Sequence, residues 1–252
     1  MKNRARPLLG TIVAIRADAT HAAIDAAFKA IERVHFLMNA HSSAGDIAAI
    51  NRTACRRPVP VHAWTFRVLA AALRISRASA GAFDPTLGRG ATHEDIVLLP
   101  GRRVRLRRRA RLDLGGIAKG FAVDRAVEAL RRHGARAGCV NAGGDLRLFG
   151  RAPQVVRVRL PSEPSASVVL ATARERAFAT SAAYFGGMHI DARRGRRLRL
   201  QSSITVSAPS CMVADALTKA VAAAGPMPDL LARFRAQAYL VDGQGAIHAP
   251  RR

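Results

Sequence analysis

Leu112-Asp-Leu-Gly-Gly-Ile-Ala-Lys-Gly-Phe-Ala-Val-Asp124 compresses a strand end, a glycine turn and a helix start into thirteen residues. Gly115, Gly116 and Gly120 allow positive φ and a close approach of backbone to a ligand. The helix that follows presents unpaired N–H groups where a phosphate can sit, and Lys119 adds a positive charge at the same place. The plainer alternative is an ordinary strand–turn–helix joint in which glycine only closes the turn.

The pattern on either side supports alternating strands and helices. Apolar residues at Ala122, Val123, Ala126, Val127 and Leu130 carry the helix on to a stop near Gly134. Upstream, Arg102–Arg109 sets Val104 and Leu106 between arginines, as in a half-exposed strand. Downstream, Cys139-Val-Asn-Ala-Gly-Gly-Asp145 reads as a strand ending in glycines and a carboxylate. Leu8 to Arg16 reads as a first strand with a bulge at Gly10-Thr11. Helical spacing marks His21–Asn39, Val61–Ala80 and Cys211–Ala224, with shorter helices expected near Asp46–Asn51 and at Asp229–Arg235. Further strands are expected at Val155–Leu160, Ser167–Ala171, Ala177–Ser181 and Ile204–Ala208, with a last hairpin at Ala238–Asp242 and Ala246–His248. No stretch rich in Pro, Gly or Ser divides the chain, so one α+β unit over residues 1–252 is expected.

Composition sets the outer bounds. The 252 residues are 49% hydrophobic and 23% charged, which suits a globular core. The net charge of +24 favours anionic partners, and only four of the 41 basic residues are lysine. Cys55, Cys139 and Cys211 stand far apart without a C-x-x-C pair, so neither a disulfide framework nor a zinc site is indicated. No apolar run of about 18 residues occurs, so no membrane span is expected. The N-terminus shows neither a signal-like apolar region nor a lipobox cysteine, placing the chain as written in the cytoplasm, or in the periplasm if a leader has been removed.

Several segments end in the same chemistry: Phe83-Asp84-Pro85, Gly115 to Lys119, Gly143-Gly144-Asp145, His189-Ile-Asp191 and Asp215. Glycine backbone, carboxylates and an imidazole together suit a nucleotide and a metal ion. No G-x-G-x-x-G occurs, and Gly120 is followed by Phe121 where a P-loop requires lysine, so neither a Rossmann nor a P-loop site is indicated.

In order along the chain, Leu9-Gly10-Thr11, Asp46-Ile-Ala-Ala-Ile-Asn51, Gly81-Ala-Phe-Asp-Pro-Thr86, Asp113 to Asp124, Asn141-Ala-Gly-Gly-Asp145, Ala179-Thr-Ser181, His189-Ile-Asp191 and Ala214-Asp-Ala-Leu217 resemble the ApbE family, the FAD:protein FMN transferases. The resemblance covers nearly the whole length. It implies a T-fold-like α+β architecture with mixed or antiparallel sheets flanked by helices, FAD bound in a cleft, and a magnesium ion on its pyrophosphate. The implied reaction moves FMN from FAD to a threonine or serine hydroxyl of an acceptor protein and releases AMP. On that analogy His189 serves as base or charge stabiliser, and Asp215 holds the metal with the carbonyl of Ala118 and the hydroxyl of Thr218. The flavin nucleotide is then lined by Leu9, Gly10, His41, Ala82, Phe83, Asp84, Gly115, Gly116, Lys119, Phe121, Gly144, Asp145 and Ile190. Plainer roles stand beside these: Asp215 complements a helix dipole, and Asp84 caps its loop.

The departures from the family are local. Its usual threonine four residues after the metal aspartate is here Lys219, which either repels a divalent cation or replaces it by pairing with Asp215 and the pyrophosphate. His41 stands for an aromatic, Ala182-Ala-Tyr184 for Gly-Asp-Tyr, and Asp191-Ala-Arg-Arg-Gly195 for Asp-Pro-x-Thr-Gly. FAD pyrophosphate hydrolysis and non-catalytic flavin binding remain as alternatives. Nucleic acid is not an expected partner.

Overall fold

The computed structural model describes residues 1–182, 189–198, 200 and 202–249, with the backbone alone at His189. Strands β1 (Lys2–Leu8) and β2 (Thr11–Ala17) form a tight hairpin in which Leu8 faces Thr11. The expected single strand with a bulge is therefore two strands. Leu9 and Gly10 take φ of 57° and 71°, the left-handed pair that a two-residue hairpin turn requires. Thr20 then caps helix α1 (His21–Met38), its hydroxyl accepting from Ala23 N, and the face carrying Ile24, Phe28, Ile31 and Val34 is wholly buried. Each such side chain contributes about 1.5–3 kcal/mol of burial free energy.

Next come α2 (Asp46–Thr53), β3 (Val59–Pro60), α3 (Ala63–Ala78), β4 (Ile96–Leu99) and β5 (Arg103–Leu106). The short strands make a separate sheet in the order β3-β5-β4, and the alternating arginines of β5 lie on its outer side as expected. Residues Leu112–Leu114 belong to no strand, contrary to expectation. They are pinned by a side chain instead: Asn51 Nδ2 donates to Leu112 O at 3.0 Å, and Leu112 N donates to Asn51 Oδ1 at 2.7 Å.

Helix α4 (Ala118–Arg132) is followed by β6 (Gly138–Ala142), β7 (Asp145–Phe149), β8 (Gln154–Arg159), β9 (Ser167–Ala173) and β10 (Ala177–Ser181). The hairpin of β11 (His189–Asp191) and β12 (Arg196–Leu198) precedes β13 (Ser203–Ala208), α5 (Cys211–Ala224), α6 (Pro228–Arg233), β14 (Gln237–Val241) and β15 (Ile247–His248). The main sheet runs β1-β2-β6-β7-β10-β13-β14-β15, every neighbouring pair antiparallel.

Helices α1, α4 and α5 cover one face of this sheet, and α5 packs on β10 and β13. Val156 of β8 joins Leu148 and Phe178 in a small cluster on the other face, so the β8–β9 hairpin lies there. Both faces of β13 are covered, and all six of its residues are buried. Helix α5 is buried on nearly every side, which suits its run of Ala, Val and Leu. It crosses α4 closely because Gly120 has no side chain: a Cβ there would overlap the carbonyl oxygen of Cys211. No described helix is long and apolar enough to cross a membrane.

Candidate functional site

The organising stretch differs from expectation in its glycines. None of Gly115, Gly116 and Gly120 has a positive φ. Gly120 serves the α4–α5 crossing. A Cβ at Gly116 would sit 3.4 Å from Lys219 Cγ and 3.4 Å from Phe83 Cε2, so this glycine lets those two side chains meet over the turn. Asp113 Oδ1 accepts from Gly115 N at 2.8 Å and closes the turn. The α4 N-terminus holds an anion as anticipated, but one the protein supplies: Gly120 N donates to Asp215 Oδ2 at 3.0 Å.

Two carboxylates and two lysines converge here. Lys119, from the first turn of α4, pairs with Asp145 at the start of β7, and Lys219 Nζ lies 2.5 Å from Asp215 Oδ1, one turn along α5. Asp145 and Asp215 are fully buried, while the two lysine side chains remain about a quarter exposed. Burial by itself pushes the Asp215 carboxyl up, but the Lys219 and Lys119 ammoniums and the Gly120 N–H hold it below the usual carboxylate range. Asp145 is raised by burial and by the neighbouring Asp215 charge. Burial opposes the charge on Lys119, yet the attraction of Asp145 and Asp215 raises it above the ordinary lysine value. Asp145 Oδ1 is buried without a hydrogen-bond partner.

Above the cluster opens a cleft of about 490 Å³. Among its lining residues are the expected His41, Ala82, Phe83, Gly115, Gly116 and Ile190, together with Lys219. Asp84 also borders it, but its oxygens accept from Thr86 N, Thr86 Oγ1, His93 N and His93 Nδ1. The loop-capping role is thus the one its geometry satisfies. The cleft wall is fixed where two loops touch backbone to backbone: a Cβ on Gly88 would overlap the Ala192 carbonyl oxygen. Arg193 NH2 donates to Ala223 O at 2.6 Å and ties the β11–β12 hairpin to the end of α5.

Other expected residues lie elsewhere. Phe121 is enclosed in the core, edge-to-face with Trp64 at 6.1 Å, and does not reach the cleft. Leu9 and Gly10 border a shallow depression with His35, and Gly144 borders a separate cavity of about 430 Å³ under the β8–β9 hairpin. The side chain of His189 lies outside the described residues, as do Ala183 and Tyr184. Sequence reading missed Leu87, Arg89, Arg111 and Ala192, all of which line the cleft. Arg111 NH2 donates to Ala40 O at 3.2 Å, beside His41. Its place directly before the organising stretch was the available signal, hidden among so many arginines.

Both side-chain donors expected for magnesium are taken. Asp215 spends Oδ1 on Lys219 and Oδ2 on Gly120 N. Thr218 Oγ1 accepts from Ser181 Oγ at 2.8 Å and from Lys219 Nζ at 3.1 Å while donating to Asp215 O, which exhausts a hydroxyl. No group of three or more His, Cys, Asp or Glu able to hold a metal occurs among the described residues. As they stand, these residues do not fit a divalent cation.

Comparison with known proteins gives a consistent answer. The model of the ApbE family matches residues 9–240. The FAD:protein FMN transferase of Treponema pallidum (strain Nichols) is 27% identical over 186 residues, covering 59% of this chain and 51% of that protein. The match thus spans about half the length of that relative. Among solved structures, the ApbE protein of Thermotoga maritima MSB8 superposes with a TM-score of 0.83 at 24% identity, over 98% of this chain and 96% of that one. The apo flavinyl transferase ApbE of Pseudomonas stutzeri gives 0.84 at 20% identity, over 98% and 94%. These likenesses confirm the α+β fold with antiparallel sheets.

Proposed function

The chain belongs to the ApbE family, and from that premise we propose that it is an FAD:protein FMN transferase, acting as one α+β unit over residues 1–252. The observation that carries this reading is the cleft that gathers His41, Ala82, Phe83, Gly115, Gly116 and Ile190 with Lys219, the member of the two lysine–carboxylate pairs that reaches it. A flat ring system with an anionic tail matches a largely apolar wall that ends in the Lys219 ammonium.

In the proposed reaction the hydroxyl oxygen of an acceptor threonine or serine attacks the phosphorus on the FMN side of the pyrophosphate. A phosphoester bond forms, the bridging P–O bond breaks, AMP leaves, and the hydroxyl proton passes to a base. Such a transfer depends on positioning and charge neutralisation more than on covalent help. The family resemblance assigns the base to His189. Asp145, locked against Lys119, would keep that ammonium aimed at the cleft side of α4. The resemblance also implies magnesium on the pyrophosphate, which supplies Lewis-acid stabilisation of phosphoryl charge when bound. Its expected side-chain donors, Asp215 and Thr218, are engaged by Lys219, Gly120 N and Ser181. The partners proposed are therefore FAD and an acceptor protein.

Incubation with FAD and a candidate threonine-bearing acceptor tests the reading. The expected outcome is flavin fluorescence on the acceptor after denaturing electrophoresis, with AMP released in equal amount. FMN accumulating free in solution identifies a hydrolase instead, and an unchanged FAD pool defeats both.

A further inference from the structure

We propose that the Lys219 ammonium is a built-in replacement for the divalent cation, so that this chain holds the FAD pyrophosphate without metal. The inference rests on the flavin reading of the cleft and adds what supplies the positive charge there.

Three observations lead to it. Lys219 Nζ lies between Asp215 Oδ1 at 2.5 Å and Thr218 Oγ1 at 3.1 Å, the two side-chain oxygens expected to hold the cation. A divalent ion placed between the same oxygens would meet that ammonium at contact distance, a like-charge repulsion that burial strengthens. Lys219 is also held in place by packing. Its stem crosses the bare face of Gly116 beside Phe83, and it lines the cleft with its side chain still a quarter exposed. The charge is therefore fixed on the protein side and open on the ligand side.

Composition makes the third point. The chain has 41 basic residues, of which four are lysine: Lys2, Lys29, Lys119 and Lys219. Lys2 and Lys29 are exposed at the surface, whereas Lys119 and Lys219 both serve the one buried carboxylate cluster. Arginine fills nearly every other basic position. A compact ammonium fits where a metal ion fits, and a planar guanidinium does not. Lysine at these two positions follows a geometric demand that the rest of the chain does not make.

Lys119 and Lys219 against Asp145 and Asp215 sum to zero, so the cluster carries no net charge before substrate arrives, and Lys219 meets a phosphate as a directed donor. With Asp215 Oδ1 and Thr218 Oγ1 each taking one of the ammonium's three donors, Lys219 keeps one N–H for a phosphate oxygen. A phosphate meeting it needs no prior metal.

The test is FAD binding, followed by quenching of flavin fluorescence in chelator and in millimolar magnesium. The wild-type protein should bind FAD with affinities within about twofold in the two conditions, and calorimetric titration of magnesium into the FAD-loaded protein should show no stoichiometric site. Lys219→Thr removes the ammonium and restores a hydroxyl. It should bind FAD about tenfold more weakly in chelator and recover in magnesium. Lys219→Met, which keeps the stem without charge or oxygen, should stay weak in both. Wild-type binding that falls about tenfold in chelator, or a stoichiometric magnesium site on the wild-type complex, overturns the proposal while leaving the flavin reading intact. No FAD binding in either condition overturns the flavin reading itself, and this inference with it.

Discussion

Helices α4 and α5 are joined by two buried carboxylates that exchange the same kind of bond in opposite directions. At one end Asp124 of α4 accepts from Cys211 N and Met212 N of α5 at 3.0 Å each, and Arg147 NH1 completes it at 2.6 Å. At the other end Asp215 of α5 accepts from Gly120 N of α4, with Lys219 completing it. Asp124 caps a helix with rigid backbone donors and an arginine from the neighbouring strand. Asp215 shares its place with two lysines, a second carboxylate and an orphaned oxygen on Asp145. The same chemistry thus closes one end of the pair and leaves the other end open to a ligand.

Substitutions at the two carboxylates should separate accordingly. Asp124→Ala strands two buried N–H groups and the Arg147 guanidinium, and chemical denaturation should show a loss of about 3 kcal/mol. Equal stability of that variant and the wild type would end the contrast. Asp215→Asn keeps an oxygen for Gly120 N but removes the charge that orders both lysines. Transfer of FMN should fall about 100-fold while stability drops by about 1 kcal/mol or less. A variant that unfolds as readily as Asp124→Ala would make Asp215 another structural cap.

The smallest expected effect is in pH dependence. Asp215 has a folded value held below the ordinary 3.8, so its contribution is present above that value and is lost as pH falls through the folded value. The stability advantage of wild type over Lys219→Met should therefore shrink by about 1 kcal/mol as pH falls from neutral through the folded value, below 3.8, read from paired thermal melts. A constant difference across that window would detach Lys219 from Asp215.

What the sequence disclosed follows from how local each signal was. Helices α1, α4 and α5 announce themselves by period, because each buries a continuous face within one segment. Strand β7 was hidden because Asp145 reads as the end of a glycine turn, although Leu146 and Arg147 pair with Phe178 and Ala177 of β10. The Leu8–Arg16 stretch misled because Leu9 at positive φ carries no turn signature; only Gly10 does. In the site, the sequence did not reveal that the three glycines of the organising stretch would keep ordinary φ values, nor the purpose of Gly120. That glycine answers to Cys211, ninety-one positions away, as Asp124 does. Phe121 sits among the motif residues yet faces Trp64, a direction set by how α4 lies on its neighbours. The pairing of Lys219 with Asp215 was visible from their spacing, since four residues on a helix share a face.

The contact between Gly88 and the Ala192 carbonyl sets a gauge for the cleft. Its aperture is measured by two peptide backbones in register, with no side chain between them to rotate or shorten. Residues around the rim, Leu87 and Arg89 among them, can therefore change side chain without moving the two backbones that meet there. The lining of the cleft and the spacing of its wall are thus separable, one written in side chains and the other in a glycine.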